Sequence, residues 1–277
     1  MSEAQKTPAI PEPATSVVLI RDAQAPRADG GRLEVLITER HGNLEVAGGA
    51  LVFPGGKVDL CDSAEDLCPG VERAEDFAFR ICGIREVFEE TGIVIGRDAA
   101  GRPVSAELQD RLVARIHEAD GPGLFNALLK SEGIEPDPDA LVPLAHWITP
   151  RIRPRRFDAR FYLAAMPAGQ REISDGLEAV EAFWAAPEEI IERHAHDINV
   201  LMFPTRMTLG LLGGARDVAE AIARMRGRRV VPVEPRLEKR DDGIYAHVPE
   251  EAGFGGATFP FQLKTRIPGA AMLQPVA

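Results

Sequence analysis

Three glutamates, Glu86, Glu89 and Glu90, crowd into the segment REVFEETGI at residues 85–93. On a helix at about 100° per residue they fall within roughly 60° either side of Glu86, so three carboxylates share one face. Such crowding is costly without a counter-charge. Like charges at this spacing destabilise a helix, and glutamates near its C-terminus oppose the macrodipole. Hard divalent cations such as Mg²⁺ or Mn²⁺ take oxygen ligands of this kind. The opposite face, Phe77, Ile81, Ile84, Val87 and Phe88, can be buried against a sheet, and Gly92 predicts a left-handed cap that fixes where the last glutamate points. A solvated face with incidental acids is the competing reading. The segment FPGG, Phe53–Gly56, favours the metal, because two glycines after a proline let backbone N–H groups approach the helix and a phosphate.

The elements that must hold this face are legible as apolar runs. SVVLI, Ser16–Ile20, predicts a central strand and LEVLIT, Leu33–Thr38, its hairpin partner. A short strand is expected at Leu51–Phe53, and a surface loop or short helical excursion carrying Asp59 and Asp62 from Val58 to Glu75. The central helix runs from about Asp76 to Thr91. Gly83 lies near the glutamate face, where close approach of FPGG would explain an interior glycine. Ile93–Ile95 reads as a strand. Ala106–Glu118 and Leu124–Lys130 read as two helices of a small lobe beside the core, and the chain returns in a strand around His146–Thr149. Phe161–Met166 predicts another central strand. Helices are expected after Pro187, over Leu209–Leu212 and over Asp217–Arg226, with an edge strand at Tyr245–Val248 in a glycine-rich C-terminal tail.

Composition narrows the function. The chain has 277 residues, 45% of them hydrophobic, with a formal net charge of -11. That balance argues against non-specific binding to nucleic acid or anionic membranes, while a metal would still let an acidic protein take an anionic substrate. No apolar run near the length of a membrane span occurs, and MSEAQKTPAIPEP has no leader-like apolar stretch, so a cytoplasmic protein is expected. Cys61, Cys68 and Cys82 form no Cys-x2-Cys pair, and Cys82 reads as a packing residue.

The basic segment RIRPRRFDARF, Arg151–Phe161, stands out in an acidic chain. Arg155 and Arg156 are its candidates for a phosphate contact, with a structural salt-bridge cluster as the rival. Arg40 and His41, at the end of the second strand, meet a substrate anion or solvent. His194 and His196 are two apart and do not face one another on a helix.

Arg85, Glu86, Val87, Glu89, Glu90, Gly92 and Ile93 match the second half of the signature of the Nudix hydrolases, which the chain resembles. Gly56 matches the opening glycine. Its distance of 29 positions from Arg85 exceeds the standard spacing and implies an insertion. In register with Arg85 the first glutamate of the signature falls on Phe77, beside Glu75 and Asp76. The split signature, WITP at Trp147–Pro150 and RRFDARF at Arg155–Phe161 are similar to a coenzyme A diphosphatase branch of that family. A coenzyme A pattern before the signature fits Leu36, Thr38, Arg40, Gly49 and Phe53–Gly56, with Glu45 where an arginine is expected.

This resemblance implies an α+β fold, an α/β/α sandwich with a mixed sheet. It implies a single domain over 14–235 with a helical insertion at about 97–138, a tail at 1–13 and a C-terminal extension at 236–277. It also implies hydrolysis of a nucleoside diphosphate-linked compound, coenzyme A or another nucleotide conjugate. Glu86, Glu89 and Glu90 would hold Mg²⁺ or Mn²⁺, Arg85 would orient a glutamate, and Arg40, Gly55, Gly56, Arg155 and Arg156 would meet substrate. A helix glutamate would serve as general base, with Glu178 as the outside candidate. The expected partner is a small nucleotide diphosphate, not nucleic acid or membrane; a homodimer is left open. A non-catalytic binding module is the rival class, and retention of all three glutamates speaks against it.

Overall fold

Val17 and Leu19 turn to one side of the first strand and Val18 and Ile20 to the other, and all four are fully buried. A strand that is apolar on both sides must lie inside a sheet covered on both faces. The computed structural model describes residues 8–40, 49–64, 75–116, 123–173, 179–194, 197 and 200–263, with the backbone alone at 40, 179–181 and 262–263. Its strands and helices are β1 (Glu12–Asp22), β2 (Leu33–Arg40), β3 (Leu51–Val52), β4 (Gly55–Lys57), α1 (Phe77–Thr91), β5 (Gly96–Arg97), α2 (Ala106–Ile116), α3 (Leu124–Ser131), β6 (Glu135–Pro136), β7 (Val142–Ile148), β8 (Phe157–Ala165), β9 (Ala179–Ala185), α4 (Pro187–His194), α5 (Phe203–Leu212), α6 (Val218–Arg226), β10 (Pro232–Val233), β11 (Arg236–Arg240), β12 (Gly243–His247) and β13 (Thr258–Leu263).

The main sheet is mixed and runs β10-β7-β8-β1-β2-β3, with β4 added to β1 and β9 to β2. β1 and β8 are parallel from Glu12↔Phe157 to Ile20↔Ala165, whereas β1 and β2 form the expected antiparallel pair around Ile20↔Val35. One face, with Val17, Leu19, Leu36 and Tyr162, packs on Ile84, Val87 and Phe88 of α1 and on Leu112, Phe125 and Leu129 of α2 and α3. The other, with Val18, Ile20, Ile37 and Leu163, packs on Ile190 of α4, Met207 and Leu212 of α5 and Met225 of α6. The fold is therefore α+β, with helices on both faces of a mixed sheet. No helix of the described residues is long and apolar enough to cross a membrane.

Three local expectations are corrected. Ile93–Ile95 is not a strand, because the side chain of Gln170 takes both backbone groups of Val94 and leaves none for a ladder. The expected helical pair is present and packs on the core: Leu112, Phe125 and Leu129 are at most 1% exposed and share the apolar cluster of α1. The segment around Tyr245 is central, not an edge, since β12 pairs with both β11 and β13. Behind that sheet Phe254 stacks on Trp147, with ring centroids 4.9 Å apart. Gly83 faces β1 and not FPGG: a Cβ there would lie 2.8 Å from Val17 Cγ2 and 2.9 Å from Thr15 Cγ2.

Candidate active site

Helix α1 lies along a single row of the sheet's register. His146, Arg160, Thr15 and Gly56 are neighbours on β7, β8, β1 and β4. Phe79 packs over the Arg160 guanidinium at 4.1 Å from ring centroid to Cζ, and Gly83 sits on Thr15. Glu86 sits on Gly56, where a Cβ would come within 2.3 Å of Oε1. Positions 79, 83 and 86 follow helical spacing, so one stripe of the helix is pressed to the sheet and ends at a carboxylate. Gly92 then closes α1 with φ of 68°, the predicted left-handed cap.

The two glycines of FPGG do different work. Gly55 pairs with Ser16, and a Cβ there would strike Thr15 O at 2.2 Å, so it is needed to lay β4 on β1. Gly56 instead leaves room for the Glu86 carboxylate. Because that carboxylate is the end of a flexible side chain, Gly56→Ala is expected to leave the melting temperature nearly unchanged. It should lower kcat by about tenfold by displacing Glu86; parallel steady-state kinetics and thermal melts check this.

Arg85 is the hub of the site. Its Nε donates to Asp62 Oδ1 at 2.9 Å, and Nη2 to Asp62 Oδ2 at 3.0 Å and to Lys57 O at 3.1 Å. Nη1 donates to Glu86 Oε1 at 2.7 Å and Glu89 Oε2 at 2.9 Å. A guanidinium has five N–H donors, and these bonds occupy all of them. Arg85 thus has no donor left for a substrate. Burial alone would push its pKa down, but the bonds to Asp62 and the Glu86 charge outweigh this and raise it, so the group stays cationic. Cys82, fully buried, has its thiol within reach of the Gly56 and Lys57 carbonyls. Burial, reinforced by the Asp62 charge, pushes that thiol up, which makes it an inert packing residue.

The sequence pattern places Asp62 in a surface loop or short helical excursion with no role in the site, yet its side chain is 0% exposed. It sits in the 3-10 turn Leu60–Ser63, where it also accepts from the Asp59 N–H at 2.8 Å. The signal was available: counting forward from Gly56, past five residues, reaches Asp62, before the insertion. Counting back from Arg85 crosses the insertion and lands on Phe77, a buried apolar residue at the start of α1. An aspartate thus stands where the signature has its first glutamate, and it bonds the signature's arginine.

These are the two halves of one motif, joined in space by a buried ion pair. The family model described as the NUDT19 Nudix domain matches residues 69–207, half of the chain. The chain belongs to the NUDT19 Nudix family. Relatives of this Nudix chain include the "Acyl-coenzyme A diphosphatase NUDT19" of Gallus gallus, 32% identical over 58% of this chain and 56% of that protein. The protein of the same name from Homo sapiens is 34% identical over 43% of this chain and 34% of its own length. The matches thus span about half or less of those relatives. A Nudix hydrolase from Alicyclobacillus acidocaldarius superposes with a TM-score of 0.63 at 25% identity, covering 77% of this chain and 96% of that one.

The other sequence candidates in this Nudix chain separate. Arg40 ends β2 opposite Ala179, with its side chain outside the described residues, as are His41, Glu45, Cys68, Glu178 and His196. Arg156 is 6% exposed and donates to Thr149 O and Ala9 O, each at 2.8 Å, and to Glu234 Oε1 at 3.1 Å. It is a structural tie between β8, the N-terminal segment and Glu234, and leaves the substrate set. Arg155 is exposed, and its charge helps to hold the Glu12 carboxyl below its ordinary range, after the hydrogen bond from Lys57. His194 ends α4.

Among the described residues, no group of three or more His, Cys, Asp or Glu side chains is gathered closely enough to hold a metal. Glu86 and Glu89 are drawn to Arg85 instead. The donor set nonetheless fits a hard divalent ion in chemistry. It consists of carboxylate oxygens on one helix face, with Gly56 leaving space beside the first of them.

Proposed function

We propose that this Nudix chain hydrolyses the diphosphate linkage of a nucleoside diphosphate conjugate, with coenzyme A or an acyl-coenzyme A as its substrate class. The observation that carries the reading is the Arg85 hub, which holds two carboxylates of one helix face, the first of them, Glu86, against a glycine that makes room for it. Glu86, Glu89 and Glu90 would hold Mg²⁺ or Mn²⁺. Such an ion, when bound, neutralises the diphosphate and acidifies a water for attack at phosphorus. Arg85 holds its glutamates in register, and Asp62 keeps that guanidinium in place. The substrate class comes from the names carried by the chicken and human relatives. Glu45, standing where the coenzyme A pattern has an arginine, favours a second reading, in which another nucleotide conjugate is the substrate.

A panel of coenzyme A, acyl-coenzyme A, NADH, ADP-ribose and nucleotide sugars, each with Mg²⁺ or Mn²⁺, separates the two. The first reading expects coenzyme A or its thioesters to be cleaved with the highest kcat/KM. Preference for any other compound favours the second, and no cleavage of the panel contradicts the first.

The basic loop gives a sharper expectation. Arg155 is exposed beside Glu12, which is bound to Lys57, and the Lys57 carbonyl accepts from Arg85. Arg155→Glu is expected to raise KM about tenfold or more at unchanged kcat, the size of one charge-assisted phosphate bond. Arg156→Ala should instead cost about 1–3 kcal/mol of stability, because partly buried acceptors lose a buried donor, with KM unchanged. Denaturant unfolding and steady-state kinetics on both variants read the two effects apart.

A further inference from the structure

The last turn of an α-helix leaves carbonyls that need partners from elsewhere. In α1, which carries Glu89 and Glu90 in that turn, the partners come from outside the signature. The Ile173 N–H donates to Thr91 O at 2.7 Å. Gln109 of α2 is 0% exposed, and its Nε2 donates to Gly92 O at 2.9 Å and to Arg171 O at 2.6 Å, while its Oε1 accepts from the Arg171 N–H at 3.3 Å. The preceding residue of the loop repeats the device: Gln170 bonds both backbone groups of Val94, at 2.8 and 2.9 Å, and Val104 O at 3.0 Å. Two glutamine side chains thus stand in for strand pairing and stitch together the end of α1, the start of the helical insertion and the segment before β9.

Packing closes the same junction. A Cβ added at Gly92 would lie 3.0 Å from Val113 Cγ2 of α2 and 3.1 Å from Ile173 Cβ. The helix cap is therefore wedged between the insertion and the loop, as well as bonded to both.

We infer that Gln109 is a positioning residue for the metal-binding glutamates: by bonding the Gly92 carbonyl it fixes the last turn of α1 and so the direction of Glu89 and Glu90. The inference rests on the proposed metal role of those glutamates. It gives the helical insertion a part in the site, although none of its residues belongs to the signature. Gln109 itself touches no reacting group.

The test is direct Mn²⁺ binding, followed by electron paramagnetic resonance without substrate, at a temperature where every variant is folded. Gln109→Met keeps the length of the side chain and removes all its hydrogen bonds. It is expected to weaken Mn²⁺ binding by about tenfold, the scale of losing an outer-shell partner. Leu128→Ala, a cavity in α3 away from the cap, serves as the stability control and should bind Mn²⁺ within about twofold of wild type. Equal affinities for Gln109→Met and wild type overturn the inference, as does equal weakening in both variants. Should Gln109→Met not fold, Gln109→Asn, which keeps the amide but shortens its reach to the Gly92 carbonyl by one methylene, carries the same expectation. A wild-type protein that binds no Mn²⁺ overturns the metal reading itself, a result distinct from wild-type binding with an unaffected variant.

Discussion

Glu89→Gln is expected to fold like wild type and to lose at least about a hundredfold in kcat. The side chain is 37% exposed, so its amide costs little stability, and Arg85 keeps both bonds to Asp62. The loss is chemical. Mutating a residue that merely supports a metal ligand commonly costs about 10–100-fold, so replacing a ligand should reach the upper end or exceed it. The variant should also need more Mg²⁺ for half-maximal rate. A metal titration of activity beside a thermal melt checks both parts, and unchanged turnover removes Glu89 from the metal set.

The second large effect is on stability. Asp62→Ala leaves the Arg85 guanidinium, whose side chain is 10% exposed, without the partner that takes two of its five donors. Breaking a buried pair from one side costs about 3–5 kcal/mol, because the remaining charge stays buried. Urea unfolding should show this as a lower midpoint at nearly constant slope. The double variant Asp62→Leu with Arg85→Met should recover part of the stability and none of the activity, since the glutamates then lack their guide. If Asp62→Ala unfolds at the wild-type midpoint, the ion pair does not join the two halves of the motif.

How much of this was legible follows the range of the interactions. The helix, its apolar back and its glycine cap were readable because each depends on neighbours within two turns. The β1–β2 hairpin was readable from alternation and a turn-rich loop between the strands. The burial of Asp62 was not, because its partner is 23 residues away across an insertion; only the count forward from Gly56 points to its place in the motif. Arg156 failed for a related reason. A run of arginines records charge, whereas the bonds to Thr149, Ala9 and Glu234 that withdraw one of them from solvent depend on the fold. Gly83 signalled a close approach correctly but not its direction, which turned out to be toward Thr15 and Val17. Val94 shows the limit of pattern reading most plainly. An apolar run predicts a ladder, and here a glutamine 76 positions away supplies the bonds instead.

The most direct measurement is product analysis by mass spectrometry of coenzyme A incubated with the wild-type protein and Mg²⁺ in ¹⁸O-labelled water. The prediction is 4'-phosphopantetheine and 3',5'-ADP, with one heavy oxygen in one of the two products, formed by wild type and lost when the metal is chelated. Intact coenzyme A under conditions where another nucleotide conjugate is cleaved would contradict the substrate class. Absence of metal-dependent cleavage at any diphosphate would contradict the assignment of Glu86, Glu89 and Glu90 to hydrolysis.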